Sequence, residues 1–125
     1  MTRILLAEDE QAMREYLKRA LEKSGYEVVA VDRGTEAVPL LENEPFDLLL
    51  TDIVMPEMDG IELARHCSKV SPKTEVMFIT GFSGVALRAG ESMPNAKVLS
   101  KPFHLKDLVL EVERLFTKES FGSLN

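Results

Sequence analysis

A short apolar stretch that ends in a carboxylate constrains the fold of this chain more than any other feature. Residues 48–51 (LLLT) predict a buried strand, and Asp52 stands where that strand ends. Pro56 cannot continue a central strand, because proline has no N–H to donate. Residues 59–60 (DG) then indicate a turn before a helical pattern. Because a lone buried carboxylate is costly to desolvate, a cation or hydrogen-bond donors must meet Asp52.

The rest of the chain repeats this alternation of an apolar run with an amphipathic segment. The apolar runs predict five strands, at residues 4–7, 26–31, 47–51, 75–80 and 97–100. Helical periodicity follows each run, at about residues 11–24, 35–41, 61–67, 85–87 and 105–116. Several strands are continuously apolar, which is typical of strands buried on both faces. The pattern therefore predicts an α/β fold with a five-stranded parallel sheet between two layers of helices.

Two of the predicted helices carry irregularities. Pro39 lies in the second helix, where it is tolerated within the first turn and would cost about 3 kcal/mol deeper in. The fourth helix is expected to be short and loosely held, because glycines flank residues 85–87. The periodicity of the last helix stops at Thr117, so we expect one domain over residues 1–117 and a mobile tail over residues 118–125.

Composition excludes several classes of protein. The formal net charge is -6, with 21 acidic and 15 basic residues, which argues against a protein that binds the phosphate backbone of nucleic acids. Cys67 is the only cysteine, so neither a disulfide within the chain nor a metal site built from cysteines is possible. The sequence opens directly into a strand and contains no long apolar run, so we expect a cytoplasmic protein without a membrane span.

Polar side chains collect where the predicted strands end. Glu8 and Asp9 follow the first strand, Asp52 ends the third, Thr80 ends the fourth and Lys101 follows the fifth. Ligands of an open parallel sheet bind beyond these carboxyl ends. Carboxylates, a hydroxyl and an ammonium group suit a magnesium-dependent phosphoryl site. Residues 32–34 end the second strand, and no chemical role follows from their sequence.

The predicted chemistry is the attack of a carboxylate oxygen on a phosphoryl group. Mg²⁺, held by Asp9, Asp52 and a backbone carbonyl just after Asp52, would offset the charge of the phosphoryl oxygens. Lys101 would do the same, and Thr80 would donate a hydrogen bond. We expect the Lys101 ammonium to pair with the phosphoryl group only after that anion arrives.

The same motifs give the chain a family resemblance over about residues 2–117. It resembles the receiver domain of response regulators in bacterial two-component signalling. The motifs that carry the resemblance are Glu8-Asp9, Asp52 with Met55-Pro56 and Asp59-Gly60, Thr80-Gly81, and Lys101-Pro102-Phe103. The resemblance implies a flavodoxin-like (βα)5 fold with strand order 2-1-3-4-5.

The resemblance also implies a role for each site residue. Asp52 would be the phosphoacceptor, and Asp9, Asp52 and the Val54 carbonyl would bind Mg²⁺, with Glu8 supporting the ion through water. Thr80 would be the switch hydroxyl, and Lys101 would pair with the phosphoryl group. The phosphodonor would be a histidine kinase or a histidine phosphotransferase. The protein would be a signalling switch rather than an enzyme.

A further likeness concerns the output of the switch. Residues 49–64, 77–82 and 98–105 resemble single-domain response regulators that control regulated proteolysis. That likeness implies that the unphosphorylated form primes the ClpXP protease. Val98 stands where many receiver domains carry an aromatic switch residue, so a switch by ring rotation is not expected here.

Other interpretations of these residues are weaker. A phosphatase of the haloacid dehalogenase type needs a second acid two residues after its nucleophile, where this chain has Val54. A flavodoxin needs a phosphate-binding loop after the first strand, where residues 8–10 (EDE) would repel a phosphate. A DNA-binding regulator would need an output domain after residue 117. Asp9 or Glu10 could cap the first helix, and Asp59 is expected to serve the turn.

Overall fold

Five strands alternate with five helices along the part of the chain that the structure describes. The structure is a computed structural model that describes residues 1–101 and 103–124, without the side chains of Ser83 and of residues 118–124. The strands are β1 (Arg3–Ala7), β2 (Glu27–Val31), β3 (Leu48–Asp52), β4 (Glu75–Thr80) and β5 (Lys97–Ser100). The helices are α1 (Gln11–Lys23), α2 (Gly34–Asn43), α3 (Gly60–Val70), α4 (Ser83–Ser92) and α5 (Leu105–Leu124). None of the described helices is both long and apolar enough to span a membrane.

The strands form one parallel sheet in the order β2-β1-β3-β4-β5. β1 and β3 lie side by side near its middle, with Leu5 opposite Leu49 and Ala7 opposite Thr51. This register brings the residues that follow Ala7 next to those that follow Thr51, at the carboxyl edge of the sheet. The predicted fold class and strand order are therefore confirmed.

Side chains on both faces of the sheet are buried, because successive residues of a strand point to opposite faces. Leu5, Leu49 and Phe78 face α2, α3 and α4 in one apolar cluster. Leu6 and Leu50 face α1 and α5 in a second cluster on the other side. All five side chains are fully buried, and each such burial contributes about 1.5–3 kcal/mol. These two layers explain why the strands are apolar at consecutive positions.

Three helices differ from their sequence-based bounds. α2 begins at Gly34, so Pro39 lies in its second turn, where the sequence did not favour it. Proline removes one backbone hydrogen bond from the helix. Burial of Ala37 and Leu41, on either side of Pro39, offsets this loss. α4 spans ten residues instead of a short segment. α5 continues to Leu124, beyond the end of its apolar periodicity. The mobile tail stays a prediction, and its last residue, Asn125, lies outside the described residues.

A single arginine joins three segments at the opposite edge of the sheet. The Arg3 guanidinium lies over the Phe46 ring, 4.5 Å from its centroid, where a cation is attracted to the aromatic face. The charged and polar groups that it contacts are Glu27, Glu44 at 2.9 Å and the Pro45 carbonyl at 2.9 Å. The Arg3 N–H also donates to the Asp47 carboxylate at 2.8 Å. We call this set of contacts the Arg3 clamp. It holds β1 to β2 and to the loop before β3.

Candidate functional site

A cavity of about 310 Å³ opens at the carboxyl edge of the sheet. The described residues that line it are Glu8, Asp9, Glu10, Asp52, Val54, Gly81, Phe82 and Lys101. They follow β1, β3, β4 and β5, as expected for a parallel sheet whose strands end at one edge. Of the residues that the sequence singled out, the structure thus brings Glu8, Asp9, Asp52, Val54 and Lys101 to one cavity.

Three carboxylates converge in this cavity. One oxygen each from Glu8, Asp9 and Asp52 lies within 4.8 Å of the others. Glu8 is fully buried and Asp52 is 7% exposed, whereas Asp9 is exposed. Oxygen ligands from one or two carboxylates, completed by water and phosphate oxygens, are the set that Mg²⁺ prefers. The donor set therefore fits this ion, and Val54 lines the same cavity.

Backbone donors fix the orientation of two of these carboxylates. The Ile53 N–H donates to Asp52 Oδ1 at 2.7 Å, and the Glu10 N–H donates to Glu8 Oε2 at 3.1 Å. Glu10 is the N-cap residue of α1 but its side chain makes no capping hydrogen bond. The Glu10 side chain therefore does not cap α1, and capping does not explain the acidic residue at this position.

The Lys101 ammonium already bridges two of the carboxylates. Its Nζ lies 3.2 Å from Asp52 Oδ2 and 3.3 Å from Glu8 Oε1. Lys101 therefore has carboxylate partners before any phosphoryl group arrives, and its pairing with that group stays a prediction. Two carboxylates this close and this buried need a cation in the unmodified protein as well. Pro102, the next residue of the sequence motif, lies outside the described residues.

Burial and nearby charges shift the pKa values of Glu8 and Lys101. Burial raises the pKa of Glu8 to about 7, and the charge of Asp52 adds to the increase. The Glu10 N–H and the Lys101 ammonium act against that increase but do not cancel it. Burial alone would lower the pKa of Lys101, but the nearby Asp52 and Glu8 outweigh it and raise that pKa above its usual value. Lys101 therefore stays charged near neutral pH, while Glu8 titrates there.

Thr80 lies beside the cavity but is not among the described residues that line it. Its side chain is fully buried. Its Oγ1 accepts a hydrogen bond from the Phe82 N–H at 3.2 Å, and its carbonyl accepts one from the Lys101 N–H at 2.6 Å. The threonine thus contacts the backbone before α4 and the backbone of the lysine that bridges the carboxylates.

Gly60 supports Asp52 in a way that the sequence did not reveal. A Cβ at Gly60 would lie 2.2 Å from the Asp52 carbonyl oxygen, so only glycine permits this approach of α3 to β3. The Gly60 N–H donates to the Ile53 carbonyl at 2.8 Å. Asp59 caps α3, because its side chain accepts from the Glu62 N–H at 2.9 Å. The Asp59–Gly60 pair indicated a turn, but the sequence alone could not show what the glycine touches.

Known proteins resemble this chain over most of its length. The family model described as the response regulator receiver domain matches residues 4–113. The response regulator receiver protein CpdR of Brucella abortus (strain 2308) is 60% identical over 116 residues, which are 92% of this chain and 97% of that protein. The chain spans about half the length of other curated relatives, response regulators named MprA, to which it is 33% identical.

Solved structures resemble the fold closely. A CheY-like receiver domain protein from Methanospirillum hungatei JF-1 superposes with a TM-score of 0.89 at 28% identity, over 98% of both chains. The response regulator TrrA from Thermotoga maritima, solved in complex with Mg²⁺ and BeF, gives a TM-score of 0.83 at 29% identity. That match covers 92% of this chain and 99% of TrrA.

Proposed function

This chain belongs to the response regulator receiver domain family, and we propose that Asp52 is the residue on which it accepts a phosphoryl group. Receiver domains are signalling switches rather than enzymes in the usual sense. The observation that carries the proposal is the cluster at the carboxyl edge of the sheet. There, oxygens of Glu8, Asp9 and Asp52 lie within 4.8 Å of one another, and Lys101 bridges Glu8 and Asp52.

The reaction is a transfer of one phosphoryl group from a phosphohistidine to Asp52. A carboxylate oxygen of Asp52 attacks phosphorus, the P–N bond to the donor imidazole breaks, and a mixed anhydride forms on Asp52. Burial of Asp52 at the floor of the cavity and its hydrogen bond from the Ile53 N–H hold the nucleophile in one orientation. The donor would be a histidine kinase or a histidine phosphotransferase.

The residues around Asp52 supply the neutralising charge. Asp9, Asp52 and the Val54 carbonyl would hold Mg²⁺, with Glu8 acting through water, and the bound ion would offset charge on the transferred group. Lys101 can leave Asp52 and Glu8 to contact the phosphoryl oxygens, since its long side chain already reaches this point. The Thr80 hydroxyl, now bonded to the Phe82 N–H, would turn toward the same oxygens and link the site to α4.

Acetyl phosphate, a small phosphodonor, tests the phosphoacceptor role directly. Intact-mass measurements should show one added phosphoryl group when Mg²⁺ is present and none in EDTA, because the three carboxylates outnumber the single Lys101 ammonium and an incoming anion needs a further cation. Reduction of the acyl phosphate with borohydride, followed by peptide mapping, should locate the modification at Asp52. Modification at another carboxylate, or equal modification in EDTA, would refute the assignment.

The output of the switch is control of regulated proteolysis through ClpXP, mainly by the unphosphorylated form. The support is the 60% identity to the protein named CpdR, along nearly the whole of both chains. Purified ClpX, immobilised on a sensor surface, should bind the unmodified protein more tightly than the protein treated with Mg²⁺ and beryllofluoride. An Asp52→Asn variant should bind equally well with and without this phosphoryl mimic. Tighter binding after treatment, or no binding of either form, would rule this output out.

A further inference from the structure

Residues 33–35, at the junction of β2 and α2, contact the loop between β3 and α3 at three points. Thr35 Oγ1 donates to Glu57 Oε2 at 3.3 Å, and Arg33 Nη1 lies 3.8 Å from Glu57 Oε1. Gly34 approaches so closely that a Cβ there would lie 3.1 Å from the Met58 carbonyl oxygen. No role followed from the sequence of residues 32–34, but these contacts assign one to Arg33 and Gly34.

The contacted residue has an unusual backbone conformation. Glu57 has a φ of 70°, the left-handed region that non-glycine residues rarely adopt. The Met58 N–H donates to the Pro56 carbonyl at 2.8 Å, so Glu57 is the central residue of a γ-turn with positive φ. This turn is rare and strained, and such a conformation persists only where its surroundings hold it. Glu57 is the residue that Arg33 and Thr35 both contact.

Arg33 is itself held in place. Its Nε and Nη2 donate to the two oxygens of Asp32 at 3.0 and 3.4 Å. A guanidinium held this way loses less freedom when it meets a second carboxylate. Asp32 thus orients Arg33 toward Glu57.

The γ-turn lies close in sequence to a proposed magnesium ligand. Val54, which lines the cavity, is separated from Glu57 by only two residues, of which Pro56 has a fixed φ. On the other side of Val54, the Ile53 carbonyl accepts from the Gly60 N–H at 2.8 Å. The loop is therefore held on both sides of Val54, at Ile53 by Gly60 and at Glu57 by Arg33 and Thr35.

We propose that Arg33 and Thr35 are positioning residues for the magnesium site. By holding Glu57 in the γ-turn, they hold the Val54 carbonyl where it can face the ion shared with Asp9 and Asp52. This inference rests on the proposed function, since it concerns the ion that phosphoryl transfer needs. It does not require that either residue touch the ion or the phosphoryl group.

The test compares the parent with an Arg33→Met/Thr35→Val double variant. Each protein is titrated with MgCl₂ alone, and NMR chemical shifts report the binding of Mg²⁺. We expect the dissociation constant of Mg²⁺ to rise roughly fivefold, which is less than the roughly 10-fold or greater loss on removing a hydrogen-bond partner of a metal ligand. Electrostatics alone predicts the opposite change, because removing a positive charge near an acidic cavity favours cation binding. Unchanged or tighter binding in the double variant would overturn the proposal.

Three further variants separate the possible outcomes. Arg33→Lys keeps a cation beside Glu57 and should recover part of the affinity. Arg114→Met removes an exposed arginine that pairs with Glu111 on α5, and should leave Mg²⁺ binding unchanged. Asp9→Asn should abolish binding at the site. If Asp9→Asn binds Mg²⁺ like the parent, the proposed function itself fails; if only the double variant does, this inference alone fails.

Discussion

Gly60→Ala should destabilise the protein by about 3 kcal/mol or more and prevent phosphorylation of Asp52. The added methyl group would lie 2.2 Å from the Asp52 carbonyl oxygen and 2.9 Å from the Ile53 Cα. Both are backbone atoms, so no side-chain rotation can relieve the overlap. Either α3 moves away from β3, which opens the apolar layer between them, or the end of β3 shifts and takes the Asp52 carboxylate with it.

Urea unfolding, followed by circular dichroism, measures the stability loss, and acetyl phosphate labelling measures the loss of function. Gly90→Ala is the matched control, because a Cβ at Gly90, within α4, meets no atom within 4 Å apart from its chain neighbours and the backbone of its own helix. That variant should be neutral or more stable by up to about 1 kcal/mol, since alanine favours helix over glycine. A Gly60→Ala protein as stable as the control would show that the approach of α3 to β3 is not required.

Lys101→Met should destabilise the metal-free protein by about 1–2 kcal/mol near pH 8, and by less near pH 5.5. Loss of one partner of a fully buried ion pair costs about 3–5 kcal/mol, and the partly exposed side chain of Lys101 reduces that value. The pH dependence follows from Glu8, whose pKa is already about 7 because of burial. Without Lys101 the pKa of Glu8 rises further, so the folded variant favours protonated Glu8 even more than the parent does.

The sign of this pH effect is specific. A carboxyl group whose pKa is higher in the folded state stabilises the protein at low pH, and this contribution is lost as the pH rises through the folded pKa. The difference in free energy of unfolding between Lys101→Met and the parent is therefore largest above about pH 7. There Glu8 would have to ionise beside Asp52 without a cation. Mg²⁺ should restore more stability to the variant than to the parent.

Urea titrations in EDTA at the two pH values, and then with Mg²⁺, measure these differences. Lys97→Met is the matched control, because Lys97 begins the strand that Lys101 follows, and its exposed Nζ pairs with the half-buried Glu111 carboxylate at 3.7 Å. Its effect should be small and nearly independent of pH. A Lys101→Met protein with the same loss at both pH values would contradict the account of Glu8.

Sequence reasoning predicted the sheet and most of the site because both depend on short patterns. Continuously apolar runs such as residues 48–50 identify strands buried on two faces, and strand ends identify the edge where Asp9, Asp52 and Lys101 meet. The rule that parallel strands end at one edge was enough to bring these residues together, although they are far apart in the chain.

The features that the sequence did not reveal depend on contacts between distant segments. The close approach of Gly60 to Asp52 requires the packing of α3 on β3, which no local pattern specifies. The position of Lys101 between Glu8 and Asp52 depends on how deeply these two carboxylates are buried. The positive φ of Glu57 depends on contacts with Arg33 and Thr35, which are distant from it in the sequence. The helical end of α5 lies beyond its apolar periodicity, because periodicity reports which face is buried and not where the backbone changes conformation.

The Arg3 clamp connects residues that are far apart along the chain, and this determines when in folding its contacts can form. The bond to Glu27 spans 24 residues, and those to Glu44 and Asp47 span 41 and 44. Closing such large loops is entropically unfavourable until β1, β2 and β3 have already docked. Interactions that form after the rate-limiting step act mainly on the unfolding rate. The clamp should therefore slow the opening of the sheet and prolong the lifetime of the native state, while leaving the speed of folding nearly unchanged.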